Sequence, residues 1–92
     1  MKSKQGLLDD MKAYGKVELG NPVYLSILQC VRDGEYTKQW RAVIHGDEQS
    51  FPFMLPGRGG RTTLNAALAV ALWLQEGATA GEATRRAGVE MI

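Results

Sequence analysis

The sequence is poor in the residues from which disulfides, metal sites and catalytic centres are built. Its 92 residues include one cysteine, Cys30, and one histidine, His45. A single cysteine forms no internal disulfide, and a short chain without disulfides is typical of a reducing compartment. We therefore expect a cytoplasmic protein.

Long apolar runs are also missing. The longest extends from Ala66 to Leu74, far below the roughly 20 residues that a transmembrane helix requires. Residues 1–10 contain no apolar stretch of signal-peptide type. The chain length and a hydrophobic fraction of 45% predict one globular domain over residues 1–92.

Neither sign of charge dominates. Eleven basic residues oppose ten acidic ones, which gives a formal net charge of +1. The net charge therefore provides no general attraction to nucleic acid or to an anionic membrane. Electrostatic binding would have to come from local clusters of basic residues.

The few reactive side chains are not arranged for catalysis. His45 lies beside a predicted turn, where Asp47 and Glu48 are the nearest carboxylates, and turn carboxylates are usually solvated. Cys30 falls in the middle of a predicted strand, without the helix N-terminus or basic partner that a nucleophilic thiolate needs. We expect no catalytic residue, no metal and no cofactor, and hence not an enzyme.

The middle of the chain predicts a β-hairpin. Asp33-Gly34 is a strong two-residue turn signal, because both residue types tolerate a positive φ. Pairing the strands around this turn places the large apolar side chains on one face and mostly polar ones on the other. The predicted pairs are Arg32 with Glu35, Ile27 with Trp40, Leu25 with Ala42, and Val23 with Ile44.

A further strand follows the hairpin. Phe51, Phe53 and Leu55 alternate with smaller or polar residues, and Phe51 is expected to pair near Ile44. Pro52 has no backbone N–H, so this strand should lie at an edge. The sequence thus predicts a three-stranded antiparallel meander that is apolar on one side.

Helices flank this meander. The patterns predict a short amphipathic helix over Gly6–Tyr14, a long one over Thr63–Glu76 and a short one from Thr79 to about Ala87. The predicted fold is α+β: a three-stranded antiparallel meander packed by an N-terminal helix, one long apolar helix and a short C-terminal helix.

The long helix is unusually apolar, since every residue from Leu64 to Leu74 except Asn65 is apolar. One stripe is enough to cover a small sheet, so the remaining apolar residues must be buried elsewhere. Either the two short helices cover them, or the Thr63–Glu76 helix provides a docking or homodimer surface.

The loop of residues 56–61 (PGRGGR) leads into this helix. It lacks the Gly-Lys-Ser/Thr ending of a phosphate-binding P-loop. Two arginines beside a helix N-terminus suit a general anion site, and a mobile loop with solvated arginines is the alternative. The basic residues that we predict to contact a partner or an anion are Arg58, Arg61, Arg32, Lys38, Arg41, Arg85 and Arg86.

Three parts of the chain resemble known families. The order of elements is similar to a double-stranded-RNA-binding domain, in which residues 61–65 (RTTLN) match the phosphate-gripping junction, although only one of them is basic. Residues 53–57 (FMLPG) and 63–68 (TLNAAL) resemble the strand-to-helix passage of HicB-type antitoxins. Residues 76–89 resemble the start of a helix-turn-helix unit, but the chain ends where the base-reading helix would begin, and we expect no DNA reading by this route.

As a whole, the chain looks like a phage-encoded anti-CRISPR protein in its size and layout. That resemblance implies a protein that docks on a CRISPR effector, formed by Cas proteins and guide RNA, in the host bacterial cytoplasm and blocks target DNA binding. Arg58 and Arg61 would then contact nucleic acid directly. The alternatives are a double-stranded-RNA-binding-like domain and an antitoxin-like dimeric regulator.

Overall fold

The computed structural model describes residues 2–20 and 23–90 and shows an α+β fold. In this part of the chain the strands form one antiparallel sheet in the order β1-β2-β3-β4. The elements are α1 (Lys4–Tyr14), β1 (Lys16–Gly20), β2 (Val23–Arg32), β3 (Glu35–His45), β4 (Ser50–Leu55), α2 (Arg61–Gln75) and α3 (Ala80–Ala87).

The prediction of a three-stranded sheet is wrong, because β1 adds a fourth strand. In β1, buried Val17 and half-buried Leu19 alternate with exposed Lys16 and Glu18. Val17 pairs with Leu25 of β2. The strand has only five residues, and so short an alternation is a weak strand signal in the sequence.

The register of the β2–β3 hairpin differs from the predicted one. Arg32 pairs with Glu35 as predicted, but Leu25 pairs with Ile44 and Ile27 with Ala42. In the three predicted pairs of inner-face residues, the assigned partner is therefore wrong by two residues. A shift of two residues leaves every side chain on its original face, so the division into an inner and an outer face holds.

The cause of the shift is a register irregularity between Gln29 and Val31. At this point the Thr37 hydroxyl donates to the Cys30 carbonyl at 3.0 Å and accepts from the Gln39 amide at 3.1 Å. The Gln29 side-chain amide donates to the Thr37 carbonyl at 2.7 Å. Side chains thus satisfy backbone groups where the ladder is interrupted.

The last strand agrees with the prediction. Ile44 pairs with Phe51, and β4 is an edge of the sheet, where the missing N–H of Pro52 is tolerated. One face of the sheet is buried under α1 and α2, and α3 packs on α2. The buried apolar side chains are Leu7, Met11, Val17, Leu25, Ala42, Ile44, Phe53, Leu55, Ala67, Leu68, Val70, Ala71 and Ala83.

The helix ends follow from local capping. Ser3 caps α1 by accepting from the Gly6 amide at 3.0 Å, and Gly15, with φ +66°, ends the helix. In α3, Thr79 accepts from the Glu82 amide at 3.2 Å and Gly88 forms the C-terminal cap. The short helix α3 lies where the sequence predicts it. The predicted starts of the other two helices are each two residues late, because α1 spans Lys4–Tyr14 and α2 spans Arg61–Gln75.

The surplus apolar surface of α2 is largely covered. Val70 of α2 is fully buried. Among the residues of the structure, the exposed large apolar side chains are all outside α2: Tyr14, Leu28, Val31, Tyr36 and Met54. Neighbouring elements thus cover much of this surface, while Leu64, Leu72, Trp73 and Leu74 are half-buried.

Candidate binding surface

The loop of residues 56–61, here called the arginine loop and ending at the first residue of α2, is held in place by one buried hydroxyl. Thr63, which is 1% exposed, donates to the Pro56 carbonyl at 2.7 Å and accepts from the Gly59 amide at 2.8 Å. One side chain in the first turn of α2 therefore fixes two points of the loop. Arg58 and Arg61 themselves are both exposed.

Two glycines of this loop adopt conformations that other residues rarely take. Gly57 has φ +81° and Gly59 has φ +93°. A Cβ at Gly57 would lie 2.8 Å from the Thr63 hydroxyl, and one at Gly59 would lie 2.5 Å from Nε1 of Trp40. The backbone on both sides of Arg58 is therefore fixed by close packing.

The electrostatics of the loop are locally basic. Arg58 and Arg61 are exposed, and in residues 2–20 and 23–90 the ion pairs join Lys2 with Asp10 and Arg86 with Glu82. Neither arginine of the loop has a carboxylate partner there. The first turn of α2 contains no acidic residue, and its N-cap Gly60 provides no side-chain hydrogen bond, so its N–H groups add to the positive potential.

The tip of the β2–β3 hairpin extends beyond the other strands. β1 pairs with β2 no further than Ser26, and β4 pairs with β3 only from Trp40 onward. Residues 28–39, here called the hairpin arm, are thus a two-stranded ribbon. Its basic residues Arg32 and Lys38 are exposed, as are its apolar residues Leu28, Val31 and Tyr36.

A groove joins the base of the hairpin arm to the arginine loop. Its volume is about 250 Å³, and α1, β2, β3, the arginine loop and α2 all contribute to it. The lining residues are Met11, Lys12, Gly15, Ile27, Trp40, Gly59, Thr63 and Leu64. The sequence does not predict this groove, because its walls come from four separate parts of the chain.

Arg41 lies on the outer face of the sheet, at the base of the hairpin arm. It pairs with Leu28 on one side and with Met54 on the other. On the same face the rings of Tyr24 and His45 are stacked, with centroids 4.2 Å apart. His45 is thus packed on an aromatic ring, and no group of three or more potential metal ligands occurs in the part of the chain that the structure describes.

The two arginines of α3 have different environments. The guanidinium of Arg86 lies 4.6 Å from the centroid of Trp73 and 3.8 Å from a carboxylate oxygen of Glu82, whereas Arg85 is exposed. Trp73 and Arg61 are twelve residues apart on α2, or about 18 Å at the rise of an α-helix. The predicted basic residues therefore do not form one cluster.

No helix in residues 2–20 and 23–90 has the length and hydrophobicity needed to cross a membrane. Comparison with known protein families finds no match, and comparisons with curated proteins and with solved structures also find none. The arginine loop, the hairpin arm and the groove between them are the surface features of this chain that suit a binding partner.

Proposed function

We propose that this protein is a non-catalytic inhibitor that docks on a CRISPR effector complex and blocks the binding of target DNA. The observation that carries the proposal is the combination of two surfaces on either side of one groove. The hairpin arm offers exposed apolar side chains, and the arginine loop offers two arginines without a carboxylate partner. Such a mixed surface suits a partner made of protein and nucleic acid.

The two surfaces have different tasks in this proposal. Tyr36 and Val31 of the hairpin arm contact Cas protein, since exposed aromatic and apolar side chains contribute most to protein interfaces. Arg58 and Arg61 bind guide-RNA phosphates, for which the planar guanidinium is well suited. Inhibition is then steric and electrostatic, and it occurs in the bacterial cytoplasm, where the effectors assemble.

The direct test is a titration of assembled effector complexes of several types. Target-DNA binding is measured by gel shift as the protein is added, and we expect complete loss near one protein per complex for at least one effector. Unchanged DNA binding across the whole panel would remove the proposal.

A second candidate is direct binding of double-stranded RNA. The specific observation in its favour is the position of the arginine loop at the N-terminus of α2, beside α1 across the groove. A gel shift with duplex RNA at several salt concentrations tests it, because each phosphate contact steepens the loss of affinity with salt. Binding without any protein partner would favour this candidate over the inhibitor.

The antitoxin-like homodimer has less support. It requires a free apolar surface on the Thr63–Glu76 helix, and none of the large exposed apolar side chains of the described residues lies on α2. Sedimentation at high concentration tests it, since a dimer that Trp73→Glu dissociates would restore this function as a candidate.

A further inference from the structure

We infer that the groove between α1 and the arginine loop binds an acidic peptide segment of a protein partner, with one large apolar side chain inserted as an anchor. The inference rests on the proposed function, because it assigns the chemistry of the protein part of the complex. The size, the lining and the charge of the groove together indicate this occupant.

The size of the groove favours a side chain. Its volume of about 250 Å³ is below the roughly 300–1,000 Å³ that is usual for small-molecule sites. One large apolar residue, with part of its neighbours, fills such a space. Interfaces commonly gain most of their binding energy from anchors of this kind.

The lining of the groove excludes most polar ligands. Its walls are formed mainly by Met11, Ile27, Trp40 and Leu64. Thr63 also lines it, but its hydroxyl is already engaged with the Pro56 carbonyl and the Gly59 amide. A nucleobase placed here would meet mainly apolar side chains and would leave most of its polar edge without partners, which is costly, whereas an apolar side chain would not.

The rim of the groove is positively charged. Lys12 belongs to the lining, which contains no acidic residue. Arg61 precedes Leu64 by one helical turn and therefore lies on the same side of α2, and Arg58 directly precedes Gly59 of the lining. A carboxylate next to the anchor would meet Lys12 of the lining, while Arg58 and Arg61 bind the phosphates of the proposed complex, so the complementary peptide is acidic.

The test is a selection of random twelve-residue peptides displayed on phage against the full chain. We expect the enriched peptides to share one Leu, Phe, Trp or Met with Asp or Glu within three positions. Dye-labelled copies should bind in fluorescence anisotropy, and the amide resonances of Gly15, Gly59 and Leu64 should shift on binding. Enriched peptides without acidic flanks, or amide shifts elsewhere in the chain, would overturn the inference.

Two variants and one control separate groove binding from general attraction. Lys12→Glu reverses a charge of the lining, and Leu64→Glu places a charge among the apolar walls; each should weaken peptide binding at least tenfold. Lys4→Glu makes the same charge change at the other end of α1 and should change the affinity less than twofold. Equal losses for Lys4→Glu and Lys12→Glu would contradict a specific site.

The peptide-binding experiments and the effector titration can each succeed or fail without the other. Peptide binding without any inhibition of an effector retains the groove and removes the proposed function. Inhibition that survives both Lys12→Glu and Leu64→Glu retains the function and removes the groove as its peptide site. Duplex RNA that shifts the same amides and displaces the selected peptides would assign the groove to nucleic acid and overturn the inference.

Discussion

The backbone of Gly59 lies against the indole of Trp40, so close that a Cβ at Gly59 would be 2.5 Å from Nε1. This contact connects the arginine loop to the central strand β3. Together with the two hydrogen bonds of Thr63, it holds Arg58 and Arg61 in place beside the groove.

Gly59→Ala should destabilise the protein by about 1–3 kcal/mol, because the new methyl group collides with Trp40 and the residue has φ +93°. Urea unfolding measures the change. Gly81→Ala is the matched control: it lies in α3, and nothing lies within 4 Å of its added Cβ. We expect it to be neutral or to stabilise by up to about 1 kcal/mol. Equal losses at both positions would show that Gly59 is not held against Trp40.

Thr63→Val should cost about 1–3 kcal/mol of unfolding free energy. The valine has nearly the same shape, but it leaves the Pro56 carbonyl and the Gly59 amide without their shared hydroxyl. Thr63→Ser, which retains the hydroxyl, should recover most of the loss. Thr62→Val, at an exposed neighbour, should have little effect; a loss as large as that of Thr63→Val would point to helix propensity instead.

Arg86 is expected to stabilise the contact between α2 and α3. Its guanidinium lies over Trp73 and near Glu82, and both interactions are partly exposed, so Arg86→Ala should lower the unfolding free energy by about 1 kcal/mol. Arg85→Ala should change it by less than about 0.5 kcal/mol. Thermal unfolding of the two variants tests this. A larger loss of unfolding free energy for Arg85→Ala than for Arg86→Ala would contradict the stabilising role of Arg86.

The sequence predicts local features well and long-range ones poorly. The turn at Asp33-Gly34, the caps at Thr79 and Gly88 and the division of the hairpin into two faces depend on near neighbours, and the structure agrees with them. The shifted register depends on hydrogen bonds of the Thr37 side chain, which a hydrophobic pattern does not contain.

The candidate site shows the same difference between local features, which the sequence predicts, and long-range features, which it does not. Arg58 and Arg61 stand out in the sequence as a glycine-arginine loop before a helix. The groove beside them exists only because the fold brings Met11, Trp40 and Leu64 together, and these residues are otherwise ordinary members of apolar patterns. Arg86, also among the predicted binding residues, lies over Trp73 in the structure, a contact that the sequence does not predict.

The hairpin arm should contribute to partner binding without contributing much to stability. Tyr36 is 76% exposed and pairs with exposed Val31, so Tyr36→Ser should change the unfolding free energy by less than about 1 kcal/mol. In the effector titration it should raise the concentration needed for inhibition at least tenfold. Tyr14→Ser is the matched control, since Tyr14 is 73% exposed at the end of α1. Equal effects of the two changes on inhibition would argue against the arm as a contact surface.

The most direct measurement compares three forms of the protein in a target-DNA binding assay with an effector that the unmodified chain inhibits. Arg58→Ala combined with Arg61→Ala should weaken inhibition at least tenfold, because two charge-assisted contacts to phosphate are lost. Lys4→Ala combined with Lys16→Ala removes two charges at exposed positions outside the predicted contacts and should inhibit like the unmodified chain. Inhibition that is unaffected by the arginine double change would contradict the proposed function, as would an equal loss for the lysine double change.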